Sequence, residues 1–163
     1  MHRYERGNLK MKVLTWAVLL SVTWLAGCAT QGSGAPVVVT SENVAKLQSR
    51  QWGLKSIILD GNEILIDVDA SMTLAFGADG KVTGYGSVNR FSGSYVFSPD
   101  GRLSWPGAGV VSTRKAGPPE LMQKERAYLQ ALPKTDRAIL KGHALLLQND
   151  GESTVLSFME AGS

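Results

Sequence analysis

The sequence predicts an α+β fold, mainly an antiparallel β meander with one helix packed on the sheet. Three observations predict it. Turn-forming pairs recur at short intervals from Asp60 onward, apolar residues alternate in the segments between them, and one late stretch switches to helical spacing.

The turns set the strand ends. Asp60-Gly61-Asn62, Asp79-Gly80, Ser98-Pro99-Asp100-Gly101, Lys141-Gly142 and Asn149-Asp150-Gly151 supply the positive φ that tight hairpins require. The segments between them are rich in β-branched, aromatic and aliphatic residues. Strands are therefore expected at 52–59, 63–68, 72–76, 81–86, 91–97, 102–105, 138–140, 144–148 and 154–158. Leu74 with Phe76, Phe91-Gly93-Tyr95-Phe97, and Leu145 with Leu147 repeat every second residue, which puts each set on one face of a sheet. The helix is expected from Pro118 onward. Proline suits a first turn, Glu120 complements the helix dipole, and Pro133 ends the run. Leu121, Met122, Glu125, Tyr128, Leu129 and Leu132 then share one helical face, and all but Glu125 are apolar.

Ahead of this pattern, residues 29–40 combine Gly, Ser and Pro with no hydrophobic period, which predicts a flexible tether. Residues 41–50 add either a short helical turn or more tether. The expected divisions are a leader at 1–27, a tether at 28–50 and one globular domain at 51–163. Roughly 110 residues are ample for a single core.

The leader carries its own signals. Lys10 and Lys12 precede an uncharged run from Val13 to Leu25, then Ala26, Gly27 and Cys28. A basic start, a short apolar centre and a small-residue exit make a secretory signal. The run of 13 residues falls short of a membrane span, which needs about 20. Leu25-Ala26-Gly27-Cys28 resembles the bacterial lipobox. That resemblance implies cleavage before Cys28, lipid transfer to its sulfur (a thiolate being the stronger nucleophile) and acylation of the new amino terminus. The membrane partner is thus reached through lipid on Cys28, and several acyl chains hold a protein stably where one does not. Ala29 stands where inner-membrane Gram-negative lipoproteins commonly carry aspartate. In such a cell the expected site is the outer membrane, facing the periplasm. Cys28 is the chain's single cysteine, so an internal disulfide is excluded.

The formal charge of +3 arises in the leader. Four of the 17 basic residues and one of the 14 acidic residues precede Cys28, so the remainder balances at 13 against 13. With no net positive charge to meet phosphates, nucleic acid is not expected as a partner.

Several stretches together resemble one family. Gly84-Tyr85-Gly86-Ser87-Val88-Asn89-Arg90-Phe91-Ser92-Gly93-Ser94-Tyr95 is similar to the central signature of the META domain, also called HslJ-like. Trp52-x-Leu54, Phe76-x-x-Asp79-Gly80, the stretch 112–118, Glu125 with Tyr128-Leu129, Leu145-x-Leu147 and Leu156-x-Phe158 accompany it in order. The resemblance covers 51–158 and implies a small α+β fold in a bacterial envelope setting, with links to heat shock and novobiocin tolerance. Two departures stand out: relatives often carry cysteine at the positions of Val88 and Gly117. If those cysteines pair in relatives, their joint absence here is coherent, because a single survivor would be an oxidisable thiol.

The family brings no catalytic residues, and the chain offers few of its own. His143 is the one histidine after the leader and sits in an expected turn, without partners for a zinc site. Asp67 and Asp69, with Asp60-Gly61-Asn62-Glu63 nearby, lack EF-hand spacing and read as solvated edge charges. No Gly-x-Ser-x-Gly elbow occurs, and Gly84-x-Gly86 lies between strands rather than before a phosphate-holding helix. Asn89, Gly93, Tyr95, Thr113 and Arg114 fall on signature positions. For them a structural role is expected ahead of a partner-recognising polar patch. Trp52 and Trp105 are expected as core or edge aromatics.

The sequence therefore predicts no catalytic residue, metal or cofactor. It predicts a non-enzymatic envelope lipoprotein, a binding or accessory module in envelope stress or drug tolerance, whose partner is an envelope protein or a small ligand. The alternative is a binder of small apolar ligands or peptides on a concave sheet face, and behind that a protease inhibitor or hydrolase.

Overall fold

The computed structural model of the protein describes residues 34–67 and 70–162. The lipobox residues Leu25, Ala26, Gly27 and Cys28 lie outside them, as does Asp69. Twelve strands run in chain order as β1 (Val37–Val38), β2 (Gln51–Leu59), β3 (Asn62–Leu65), β4 (Thr73–Phe76), β5 (Lys81–Tyr85), β6 (Arg90–Ser94), β7 (Val96–Phe97), β8 (Leu103–Ser104), β9 (Val110–Ser112), β10 (Arg137–Lys141), β11 (Ala144–Gln148) and β12 (Thr154–Glu160). Helix α1 (Ala45–Gln48) is one turn, and α2 (Pro119–Ala131) is the long helix, followed by a 3-10 turn at Leu132–Lys134. The fold is the expected α+β meander with one main helix.

Ten strands form one sheet in the order β1-β10-β11-β12-β2-β4-β5-β6-β9, with β3 attached to β2. Every pairing is antiparallel. β2 is the trunk. One side runs along β12, with a bulge between Ser157 and Phe158. Its other side splits: Gln51–Gly53 pair with β4, and Ser56–Leu59 pair with β3. The β2–β3 turn uses Asp60 and Gly61 at φ 52 and 80, the pair of positive angles that a two-residue hairpin of matching twist needs.

The interior follows the alternation. Trp52, Leu54 and Ile57 on β2 meet Leu74 and Phe76, Leu145 and Leu147, Leu156 and Phe158, all nearly or fully buried. Phe91, Tyr95 and Phe97 turn inward as their spacing predicts. Tyr128 of α2 enters this core edge-on to Phe91, at 5.4 Å between ring centroids, so the helix is anchored by an aromatic pair as well as by area. The helix begins as expected, with Pro119 in its first turn and Glu120 beside it.

Three features depart from the expected elements. The expected strand at 91–97 divides after Ser94. Tyr95 donates its N–H to the Gly80 carbonyl, and β7 pairs with β8 in a separate small sheet. β9 forms where no strand is expected, on the edge of β6. Residues 34–50, the described part of the tether expected over 28–50, belong to the fold instead. Val39 and Leu47 are buried, Val39 donates to the Ala138 carbonyl, and β1 pairs with β10. The physical reason is the β-branched run Val37-Val38-Val39, which seats on a sheet edge despite the Gly and Pro that precede it. All core side chains lie between Val39 and Phe158, so among the described residues the core closes on itself.

Candidate functional site

The signature residues assemble where the β5–β6 turn meets α2. Gly86 donates its N–H to the Asn89 carbonyl, closing a tight turn with Ser87 at φ 83. That turn aims the Val88 and Asn89 N–H groups at one oxygen. Glu125 Oε2 accepts both, at 3.0 and 2.7 Å. Glu125 Oε1 accepts from Asn89 Nδ2 at 2.7 Å. The Asn89 side chain then reaches the other way. Its Oδ1 accepts from Thr113 Oγ1 and from the Lys115 N–H, each at 2.7 Å, and its Nδ2 donates to the Lys115 carbonyl at 3.2 Å. Two buried side chains thus join the turn, helix α2 and the loop after β9.

Every polar atom of Asn89 is engaged, and both Glu125 oxygens accept from groups that hold segments together. Charged acceptors in such bonds bind strongly, and losing one partner leaves the others buried and unpaired. The cluster is therefore built to hold the chain. Small residues make room for it. A Cβ on Gly86 would lie 2.7 Å from Glu125 Cγ, and one on Gly84 would lie 2.2 Å from Phe91 Cζ.

Of the sequence-predicted site residues, Asn89 and Thr113 are brought together and Arg114 adjoins them, exposed. Gly93 serves a close approach instead, since a Cβ there would come within 2.5 Å of the Gly109 carbonyl oxygen. Tyr95 stands apart, accepting from Gln48 and donating to the Gly77 carbonyl. Its burial raises its phenol above the ordinary value, with the Gln48 bond opposing. Glu125 carries the site although it was no candidate from sequence. Its signal was an acid on an otherwise apolar helix face.

Two adjoining clefts open beside the cluster. One, of about 740 Å³, lies over β4, β5 and β6 and includes Thr73, Thr83, Tyr85 and Arg90. The other, of about 710 Å³, lies between the loop after β9 and α2. They share Thr113 and Lys115. Thirteen lysines and arginines are described, and six of them form ion pairs with carboxylates. Of the other seven, Arg90, Arg114, Lys115 and Arg126 line these clefts. The one carboxylate lining them is Glu125, which is occupied.

The remaining candidates resolve simply. Exposed His143 places Nδ1 2.8 Å from Glu160 Oε2, which also lies 3.4 Å from Arg50. Exposed Asp67 pairs with Lys124, whose hydrogen bond and charge lower its carboxyl below the usual range. Trp52 is fully buried and Trp105 half-buried, its Nε1 donating to the Thr135 carbonyl at 2.9 Å. Among the described residues, no cluster of three His, Cys, Asp or Glu side chains is placed to hold a metal ion.

A family model described as META domain matches residues 45–162. No curated protein matches the chain. An NMR structure of a protein from Burkholderia xenovorans is similar at 25% identity, covering 80% of this chain and 94% of that one with a TM-score of 0.61. A crystal structure of a DUF4847 family protein from Bacteroides vulgatus is similar at 14% identity, covering 71% and 95%, with a TM-score of 0.53; this likeness concerns the fold alone. None of these matches carries a sign of catalysis.

Proposed function

The chain belongs to the META domain family, and from that premise we propose that it is a membrane-anchored envelope lipoprotein whose domain is a non-enzymatic binding or accessory module in envelope stress or drug tolerance. The anchor reading rests on Leu25-Ala26-Gly27-Cys28 and on Cys28 being the sole cysteine. Eight residues separate Cys28 from β1. Fully extended, such a link spans about 30 Å, so lipid on Cys28 would hold the domain close to the bilayer surface. In a Gram-negative cell Ala29 favours the outer membrane.

The binding reading is carried by one observation. The signature's buried polar groups are consumed in holding the fold, whereas the bases around them, Arg90, Arg114, Lys115 and Arg126, form no ion pair among the described residues. Polar groups spent on structure and charges left free beside a cleft suit recognition better than reaction. The test is crosslinking of the full lipoprotein in living cells, followed by mass spectrometry, with Cys28→Ser as control. A specific envelope partner that is lost in the control supports an anchored interaction module. Identical captures from both forms contradict it. The small-ligand reading draws support from the mixed apolar and basic lining of the cleft beside α2.

A further inference from the structure

We propose that the cleft between the loop after β9 and helix α2 binds an anionic amphiphile, a single short apolar chain carrying one carboxylate or phosphate head. The inference rests on the binding-module reading and does not depend on the anchor.

The lining divides by chemistry. Arg114 and Lys115 come from the loop, and Arg126 comes from the exposed side of α2. None of the three takes part in an ion pair among the described residues. Outside the clefts six bases are paired, among them Lys124 with Asp67 and Lys134 with Asp60, whereas Lys46, Lys55 and Lys141 form no ion pair among the described residues. In the same cleft the helix presents Met122 and Leu129, both half-buried. These positions are seven apart and lie on one side of α2. Cations of this kind attract a charged head, and flexible methionine beside leucine accepts an apolar chain of variable shape.

Glu125 lies under the cleft, but its carboxylate accepts from Val88, Asn89 and the Asn89 amide. Those bonds direct its oxygens at the β5–β6 turn, and it forms no salt bridge with Arg114, Lys115 or Arg126 among the described residues. The Asn89–Thr113–Lys115 bonds fix the loop that carries two of the three bases, so the cationic edge is ordered before a ligand arrives. Preformed geometry lowers the entropy lost on binding. A volume of about 710 Å³ admits a small single-chain ligand.

The test uses the chain from residue 28 onward with Cys28→Ser, titrated with decyl phosphate and with decanoate, each below its micelle concentration. Binding is followed by amide NMR shifts. Both probes are expected to saturate, with shifts concentrated in Ser112–Ala116 and around Met122 and Leu129. Either order of affinity supports the proposal and assigns the head group. Arg114→Ala combined with Arg126→Ala is expected to weaken both probes at least tenfold. Lys55→Ala combined with Lys141→Ala, which removes two lysines outside the cleft that form no ion pair among the described residues, is expected to leave them unchanged. Decyl maltoside and decyltrimethylammonium are expected not to saturate. Equal binding of those neutral and cationic probes, equal binding of inorganic phosphate alone, indifference to the double arginine variant, or no saturable binding of either anion would each overturn the proposal. A captured protein partner in cells alongside failed titrations would leave the binding module standing and remove only its amphiphile.

Discussion

Asn89 and Glu125 meet through two oxygens: Oε2 accepts the Asn89 backbone N–H and Oε1 accepts its side-chain amide, both at 2.7 Å. The two residues stand 36 positions apart in sequence. Their bonds tie α2 to the β5–β6 turn, and the far side of Asn89 ties that turn to the loop bearing Arg114 and Lys115.

Removing the acid should therefore cost more than an ordinary surface change. Glu125→Ala removes the acceptor of the half-buried Val88 N–H, the buried Asn89 N–H and one of the two Asn89 amide bonds, and is expected to destabilise the fold by about 3 kcal/mol or more. Glu125→Gln keeps one acceptor oxygen but sets an amide donor against the Asn89 amide, at a cost of about 1–2 kcal/mol. Urea unfolding of the two variants checks the order. Equal losses, or a loss under about 1 kcal/mol for alanine, would contradict the hub.

Val88 and Gly117 face one another. A Cβ built on Gly117 lies 3.4 Å from Val88 Cβ, close to the separation found across disulfides. The paired variant Val88→Cys with Gly117→Cys is expected to oxidise spontaneously. Closing a loop of about 30 residues is expected to add about 3–4 kcal/mol, lost again with reductant. Intact-mass measurement and melting with and without dithiothreitol check this; two free thiols after air oxidation would contradict the juxtaposition.

Gly84 should tolerate nothing larger. A Cβ there would come within 2.2 Å of the Phe91 ring and 2.3 Å of the Thr73 carbonyl oxygen, and overpacking of this kind costs about 1–3 kcal/mol, occasionally more. Gly107→Ala meets nothing within 4 Å but sits at φ 71, a backbone penalty of about 1–2 kcal/mol. Thermal melts of the two alanine variants are expected to rank Gly84 as the more damaging. The reverse order would place Phe91 elsewhere.

Tyr128 sets a limit on the alkaline side. Burial raises its phenol well above 10.0. The unfolded chain therefore loses this proton as pH passes about 10, while the folded chain keeps it. Stability tied to this group is present below that pH and falls as pH rises above it. Tyr128→Phe removes a bond to the Thr73 carbonyl, expected to cost about 1 kcal/mol at neutral pH. It should also make the alkaline decline shallower, with Tyr95 carrying part of the remainder. Unfolding midpoints between pH 7 and about 11 check it, and parallel curves would contradict it.

Much of this was readable along the chain, and the reasons differ by element. Asp60-Gly61 and Pro118-Pro119-Glu120 act locally, so their turn and helix start follow from a few residues. Alternation through Phe91, Gly93, Tyr95 and Phe97 named an inward face even though the strand breaks after Ser94. Val37-Val38-Val39 was masked by the Gly and Pro before it, and its role depends on β10, a century of residues later. Asn89 and Thr113 were found by their signature positions, but their function was not, because it lies in Glu125. The cationic rim is not legible in the sequence either, because Arg114 and Lys115 share a cleft with Arg126 only once the loop after β9 and α2 have packed.

The proposed lipid anchor of this family member is tested most directly by metabolic labelling with radioactive palmitate in the native host. The chain is expected to incorporate label and to partition with membranes, while Cys28→Ser incorporates none and accumulates without lipid. Label retained by Cys28→Ser, or absent from the unmodified sequence, would contradict the anchor.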